Sequence, residues 1–336
     1  MQRANLPAPL GMALWTISFV LLLLSTTTHA QQIVDPGFKA PVERPAYTGK
    51  HPTVMIDEAH SNYHTAGGHY KPFADLLTSD GYRVVPGTKR FEKGSLKGVR
   101  VLVISNAVAP DATNDTSGPA FTDEECNVVR DWVRGGGSLL LIADHTPYGS
   151  AAENLARAFG VGMGKGYVFD FANSVEDGPT GLVFSRENGL LGSHALLRGR
   201  NPAEEVKRVV TFTGQSLSIP EGAAAIMKLS PTAYESPNGK ELQAATGMDS
   251  RRKFTQKKEN IAAHARPVGG RAQGIAMRFG KGRLVVTGEA AMFSAQIIRY
   301  QEGGQQREFK MGMNVPGNDD RQFALNVMHW LSGLLK

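Results

Sequence analysis

Residues 135–149 constrain the fold more strongly than any other part of this sequence. A glycine cluster precedes the apolar run 139–142, which is followed closely by Asp144 and His145. Such a run predicts a parallel strand buried on both faces, and the periodic segment 150–159 predicts a helix after it. Because open α/β sheets bind ligands at the carboxyl ends of their strands, these two polar residues predict a functional site. Alternatively, Asp144 caps the helix and His145 is a loop histidine with local hydrogen bonds.

The first thirty residues predict the cellular compartment. Arg3 gives a positive start, residues 12–24 are apolar, and residues 28–30 form a small-residue cleavage site. This pattern is typical of a secretory signal peptide, so we expect a secreted, periplasmic or extracellular protein that begins near Gln31. The apolar run is short for a membrane span, and we expect no stable span once the signal is removed. An uncleaved anchor is the alternative.

Composition excludes some classes of protein. The chain has 336 residues and a single cysteine, Cys126, so a secreted form cannot be a disulfide scaffold and must rely on its core. Loss of Arg3 with the signal peptide, which contains no acid, lowers the formal net charge from +6 to +5. The basic runs 251–253 and 257–258 lack interleaved aromatic residues beyond Phe254, which indicates a solvated loop and no nucleic-acid partner.

The remaining pattern predicts a single α/β domain over residues 52–336, preceded by an extended lead over residues 31–51. Apolar strand patterns at 53–56, 82–85 and 99–104 alternate with helical segments. One helix starts with a capping-box signature at Thr122 and Glu125. This alternation predicts a flavodoxin-like, doubly wound parallel sheet.

Two further regions complete the predicted organisation. From about 161 to 272 the pattern loosens, which predicts a long irregular insertion of short strands and loops. Order returns with a predicted hairpin, residues 274–287, whose second strand leads to Glu289. A closing helix is predicted over 319–335, with an apolar stripe on one face formed by Phe323, Val327, Trp330 and Leu334.

Three segments, residues 131–145, 280–289 and 318–331, carry a resemblance to a known family. The chain resembles the glutamine-amidotransferase-like superfamily, in its trehalose-utilisation (ThuA-like) and domain-of-unknown-function 4350 branches. The likeness covers most of residues 52–160 and 272–336. It implies a flavodoxin-like fold, and a histidine at the position of His145 is similar to the ThuA-like branch, which is linked to sugar metabolism.

The chain departs from that superfamily at its reactive turn. Amidotransferases place a cysteine nucleophile there, whereas this sequence has Asp144 and His145. Cys126 lies in the preceding predicted helix, and glutaminase chemistry needs an activated thiolate. We therefore expect no amidotransferase activity.

A second polar cluster follows the first predicted strand. His60, His64 and His69 lie within ten residues of one another. Imidazoles can bind a divalent metal or shuttle protons, although this spacing matches no standard zinc signature. Metal binding is therefore one hypothesis, and a polar loop with local hydrogen bonds is the other; no further cofactor is indicated.

The predicted sheet would bring several polar residues to one edge. We expect His145 to act as general acid or base and to be oriented by Asp144 or Glu289. The residues expected to bind substrate hydroxyls are His60, Asn106 and Asn314.

These roles predict a hydrolase or lyase acting on a sugar-like or other polar small molecule, or on a glycan. The alternatives are a noncatalytic envelope binding or transport-assembly module, and a metal-dependent hydrolase that uses the histidine loop.

Overall fold

The computed structural model describes residues 31–113, 116–176, 178–249, 253–302 and 305–336. The predicted signal peptide and two residues of the first basic run, Arg251 and Arg252, lie outside these ranges. Within the ranges, no helix combines the length and apolar character needed to cross a membrane.

The described chain forms a mixed α/β fold. Its strands are β1 Gln31–Val34, β2 Thr53–Asp57, β3 Arg83–Gly87, β4 Val101–Ser105, β5 Ser138–Ile142, β6 Tyr167–Phe169, β7 Gly181–Ser185, β8 Arg208–Phe212, β9 Ala224–Lys228, β10 Tyr234–Ser236, β11 Arg266–Pro267, β12 Ala272–Phe279, β13 Gly282–Thr287, β14 Ala295–Glu302 and β15 Gln305–Gly312. Its helices are α1 Lys71–Ser79, α2 Asp123–Arg134, α3 Tyr148–Arg157, α4 Ala195–Arg198, α5 Gly239–Thr246, α6 Lys258–His264 and α7 Asp320–Ser332.

The main sheet has seven strands in the order β3-β2-β4-β5-β13-β12-β9. The first five strands in this order, β3, β2, β4, β5 and β13, pair in parallel. Strand β12 is antiparallel to β13, and β9 is antiparallel to β12. The predicted parallel sheet is thus present as part of a larger mixed sheet, which has two antiparallel strands at this edge. The reason is the short turn at Gly280 and Lys281, because strands joined by two residues can pair only antiparallel. The hairpin itself is confirmed.

Burial on both faces of the sheet explains why the central strands are almost entirely apolar. Every residue of β4 and β5 is buried, since helices cover both faces of the sheet. One apolar cluster contains the inner faces of α1 and α7, and the other contains those of α2 and α3. The capping box of α2 is present: Thr122 Oγ1 accepts the N–H of Glu125 at 3.2 Å, and Glu125 Oε2 accepts the N–H of Thr122 at 3.0 Å.

The closing helix differs from its prediction at its end. Phe323, Val327 and Trp330 are buried as expected, but α7 stops at Ser332. Gly333 then adopts φ +93°, a left-handed conformation that favours glycine. The chain turns there, which leaves Leu334 39% exposed and buries the next residue instead.

The region predicted as an insertion adds to the main sheet as well as to its surroundings. Strand β9 extends the main sheet, β7 pairs with β8, and β6, β10 and β11 form a small sheet. A further three-stranded sheet joins β1 to the late hairpin of β14 and β15. The region therefore lies against the strand ends where polar residues were predicted to gather.

Candidate acid–base site at the strand ends

Three predicted site residues follow neighbouring strands of the main sheet. Asn106 follows β4, Asp144 follows β5 and Glu289 follows β13. Asn106 has φ +44°, a conformation that asparagine tolerates better than most residues. Its Oδ1 accepts the backbone N–H of Asp144 at 2.9 Å. Asn106 therefore ties two strand ends together, and its amide oxygen is already engaged.

Asp144 is the carboxyl group that reaches the surface of the site. Its side chain is 14% exposed, and its Oδ1 accepts the backbone N–H of His145 at 2.8 Å. Burial raises the pKa of Asp144, although the nearby imidazole and this hydrogen bond oppose the shift. The protonated form is thus favoured more than in an ordinary aspartate.

Glu289 lies fully buried behind this position. Its two carboxyl oxygens accept the backbone N–H groups of Ala291 at 2.7 Å and Met292 at 3.0 Å. Burial holds the pKa of Glu289 well above its usual range, and the negative charge of Asp144 raises it further. Two carboxyl groups with interacting charges therefore lie at adjacent strand ends.

His145 is held by the backbone and not by a carboxylate. Its Nδ1 donates to the carbonyl oxygen of Thr146 at 2.8 Å. Its Nε2 is 3.9 Å from Asp144 Oδ1, which is too long for a hydrogen bond. In the neutral ring this assigns the proton to Nδ1 and leaves Nε2 as an acceptor. The imidazole is 28% exposed, so Nε2 belongs to a side chain that a ligand can reach.

Aromatic rings surround the acid and the imidazole. His145 stacks on Tyr167, with ring centroids 4.0 Å apart, and its centroid is 6.4 Å from that of Tyr148. Tyr148 in turn lies 6.2 Å from Tyr63, which is 40% exposed and stacks on His69 at 4.5 Å. These five rings form a continuous aromatic wall beside Asp144.

The loosely patterned region after residue 160 contributes to the site. Besides Tyr167, it supplies Gln215, whose Nε2 donates to the carbonyl oxygens of Ala143 at 2.7 Å and Asp144 at 3.0 Å. Sequence reasoning missed Gln215 and all three tyrosines of the aromatic wall. Tyr63 and Tyr148 lie within the two segments predicted from the sequence as candidate sites. Their positions beside the polar residues were the sequence signal that could have predicted them. No local signal pointed to Gln215 or Tyr167.

His60 does not face the other predicted site residues. It is buried, with Nδ1 hydrogen-bonded to Asp57 Oδ2 at 2.8 Å and Nε2 hydrogen-bonded to Glu125 Oε1 at 2.9 Å. Burial lowers the pKa of His60, but its hydrogen bonds and the charges of the two carboxylates outweigh that effect and raise it. Because both nitrogens are used, the geometry gives this ring a structural role in joining the β2 loop to α2.

The other two histidines of that loop are also engaged separately. His64 is buried, stacks on Tyr70 and lies with Nδ1 3.0 Å from Ser105 Oγ, and burial lowers its pKa to about 3. The ring centroids of His64 and His69 are 6.1 Å apart. Within the described ranges, no three His, Cys, Asp or Glu side chains are arranged to hold a metal ion. The histidine loop therefore does not have the geometry of the hypothesised metal site.

Asn314 has its contacts in another part of the molecule. Its Nδ2 donates to Asp35 Oδ2 at 2.9 Å and to the carbonyl oxygen of Gln296 at 3.0 Å. These bonds fix the loop after β15 to the residues around β1. They give Asn314 a structural role in place of the predicted contact with substrate.

Cys126 lies inside α2, with its side chain buried. Burial, and secondarily the charges of Asp123 and Glu125, raise its pKa to about 11. A thiol in this setting is protonated near neutral pH and is a poor nucleophile.

Comparisons with known proteins concern the fold. No protein-family model matches the chain, and no curated protein is significantly similar. A solved structure described as the mmIFT52 N-terminal domain has a TM-score of 0.54 and 14% identity, over 84% of this chain and 97% of that one. Its likeness shows a shared fold alone.

Structures described as ThuA-like are also among the similar ones. Those from Parabacteroides merdae and Bacteroides uniformis are each 12% identical over 85% of this chain. They are covered over 91% and 94% of their own length, with TM-scores of 0.40 and 0.39 respectively. The domain-of-unknown-function 4350 branch stays a prediction.

Proposed function

We propose that this protein is an acid–base enzyme, a hydrolase or lyase in type, that acts on a sugar-like polar small molecule at the strand-end site. The observation that carries the proposal is the pairing of Asp144 with His145. A partly exposed carboxyl group, whose pKa is raised by burial, lies 3.9 Å from Nε2 of an imidazole whose Nδ1 is held by a backbone carbonyl. An acid and a base close together in one partly buried site are what proton-transfer catalysis requires.

Each residue has a distinct role in this proposal. His145 Nε2 accepts a proton from the substrate or from an attacking water, and the hydrogen bond from Nδ1 to Thr146 keeps the ring in that tautomer. Protonated Asp144 donates to the departing oxygen. Glu289 is a positioning residue, because its oxygens are occupied by backbone N–H groups and it is closed to substrate.

A single accessible carboxyl group beside an imidazole favours elimination over glycoside hydrolysis, because Glu289 is closed to substrate. Retaining glycosidases need two carboxyl groups about 5 Å or more apart, on opposite sides of the sugar. In this proposal Asp144 and His145 Nε2, which are 3.9 Å apart, act on the same side of the substrate, and this suits removal of a proton and a hydroxyl from adjacent carbons. The C–H electron pair would form the double bond, and the C–O bond would break as Asp144 protonates the leaving hydroxyl to give water.

The aromatic wall supports a sugar-like substrate. Tyr63, Tyr148 and Tyr167 present flat apolar surfaces beside strongly polar groups. A sugar ring combines apolar C–H faces with hydroxyl groups at its edge, so the same wall can hold it while polar groups fix its orientation. Sugars, sugar acids and short glycans are therefore the first compounds to screen.

The test is a screen of the purified mature protein, with products identified by mass spectrometry. Elimination gives a product lighter than its substrate by one water, whereas hydrolysis adds a water across the cleaved bond. We expect Asp144→Asn and His145→Gln each to lower kcat by at least about a hundredfold with little change in melting temperature. The matched controls on other elements are Asp75→Asn, at an exposed position, and His264→Gln, at a partly exposed one. Full activity of either site variant would contradict the proposal.

A noncatalytic binding module is the second candidate, because the aromatic wall offers a contact surface that needs no proton transfer. In that case a ligand would bind without turnover, and Asp144→Asn would leave its affinity unchanged while Tyr63→Ala would weaken it.

Amidotransferase activity is not proposed, since Cys126 is a buried, protonated thiol. A GATase-like fold and a periplasmic or extracellular location are parts of the proposal.

A further inference from the structure

A pocket lies at the opposite end of the main sheet from the acid–base site. It has a volume of about 410 Å³, and its lining includes His194, Arg198, Arg278, Trp330 and Lys336. Arg278 is paired in register with Arg283 near the start of β13, whereas Glu289 follows the end of that strand. The pocket is therefore separate from the acid–base site.

The side-chain charge of this pocket is positive, and the anion among its lining residues is the terminal carboxylate of Lys336. Arg198, Arg278 and Lys336 contribute three cations, and no aspartate or glutamate is among the lining residues. In the ranges that the structure describes, none of these three cations forms an ion pair with a carboxylate. A concave surface with an excess of one sign of charge concentrates ions of the opposite sign.

The surrounding groups increase this positive field. The Arg283 guanidinium lies over the Trp330 ring, 5.1 Å from its centroid, and donates to the carbonyl oxygens of Trp330 and Leu335. Burial lowers the pKa of Arg283, and the charges of Arg278 and Arg100 lower it further. Cations that repel one another in this way would each be stabilised by a shared anion.

The pKa of His194 responds to the same positive charges. Its Nδ1 accepts the N–H of Leu196 at 3.3 Å, which places the proton of the neutral ring on Nε2. Burial, followed by the charges of Arg198, Arg283 and Arg278, lowers its pKa to about 4. The ring is thus a neutral donor near neutral pH, at the edge of a cationic pocket.

We infer that this pocket binds a small molecule through a phosphate or sulfate group. The two exposed guanidinium groups can each donate two N–H bonds to a tetrahedral oxyanion, and the volume exceeds that of the ion alone. The site is independent of the proposed enzymatic function and could hold an effector or a charged part of a larger ligand.

Calorimetric titration of the mature protein with inorganic phosphate, sulfate and glycerol phosphate tests this inference at constant ionic strength. We expect saturable binding that is at least about tenfold weaker in the Arg198→Ala/Arg278→Ala variant. Lys39→Ala/Lys240→Ala removes the same charge from exposed positions outside the pocket and should bind normally. Tighter binding of glycerol phosphate than of phosphate would identify an organic ester as the ligand, whereas equal binding would identify the free ion.

Two results would overturn the inference. One is the absence of saturable binding by all three probes up to about 10 mM, and the other is equal weakening in both double variants, which would indicate only bulk charge. NMR titration of His194 gives an independent measurement. A bound anion offsets the arginine charges, so the pKa of His194 should rise when phosphate is added, and an unchanged pKa would contradict binding here.

Discussion

At the scale of single residues, burial raises the pKa of both Asp144 and Glu289, but the two carboxyl groups differ in what they can contact. Asp144 retains contact with solvent and lies next to a basic nitrogen, so its proton can be exchanged with a substrate. Glu289 is enclosed, and two backbone N–H groups occupy its oxygens. Its contribution to the site is therefore electrostatic, and it should also be visible in the stability of the protein.

Glu289→Gln tests that contribution. A carboxyl group whose folded pKa is raised stabilises the fold below its unfolded pKa, about 4.5, and this stabilisation is lost as pH rises through the folded pKa. Glutamine does not titrate, so the decline of the free energy of unfolding with rising pH should become shallower. Urea unfolding between about pH 4 and 9 measures the slope.

A matched control separates this effect from general charge removal. Glu92 is exposed, and Glu92→Gln should leave the slope as it is in the unmodified protein. At low pH the Glu289 variant should lose about 1–3 kcal/mol of stability, because one backbone N–H loses its acceptor, and this loss should shrink as pH rises. A slope identical to that of the unmodified protein would show that Glu289 does not titrate in this range.

The site residues that could be predicted are those with a local sequence signal. Asp144 and Glu289 are each separated from the end of an apolar strand by one residue, and adjacent parallel strands end at the same edge of a sheet, so their proximity follows from the pattern. His60 could not be interpreted in this way. One of its partners, Glu125, is 65 positions away and was predicted only as a helix cap. The choice between a structural and a functional histidine depends on such long-range contacts.

At the scale of elements, α7 shows how a helix end decides which residues pack. Trp330 is 2% exposed and contacts both His194 and Arg283. Leu334 would share its face if the helix continued, but Gly333 ends the helix one residue earlier. Periodicity predicts the face of a helix well but does not predict the residue at which the face stops.

Trp330→Ala and Leu334→Ala form a matched pair for this element. Removing the buried indole should cost about 3–5 kcal/mol of unfolding free energy, because it leaves a cavity in the core. Removing the exposed leucine side chain should change the same quantity by no more than about 0.5 kcal/mol. Chemical denaturation of both variants measures the difference. Similar losses in the two variants would favour the longer apolar stripe predicted from the sequence.

At the scale of the whole molecule, the sequence predicts the alternating strands and helices of residues 52–160 but not the arrangement of residues 161–272. Strand β9 joins the main sheet from within this loosely patterned region, and Gln215 reaches Asp144 from there. Short strands separated by glycine and proline have weak periodic signals, so their partners are set by packing with distant parts of the chain.

The predicted signal peptide can be tested on the whole protein. If residues 1–30 are a signal peptide, the intact mass of the protein recovered from the periplasm or medium should match a chain starting at Gln31. Ala30→Asp replaces the small residue that the cleavage site requires, and that variant should accumulate as the longer precursor. An uncleaved chain confined to the cytosol would contradict export.

The pairing of β1 with β14 has a consequence for the order of folding. Gln32 and Gln296 meet across these strands although they are 264 positions apart in the chain. A chain that emerges from its amino end must therefore leave β1 without its strand partner until nearly all the remaining residues have emerged. Closing so long a loop is slow compared with local pairing, so β1 should be among the last strands to dock.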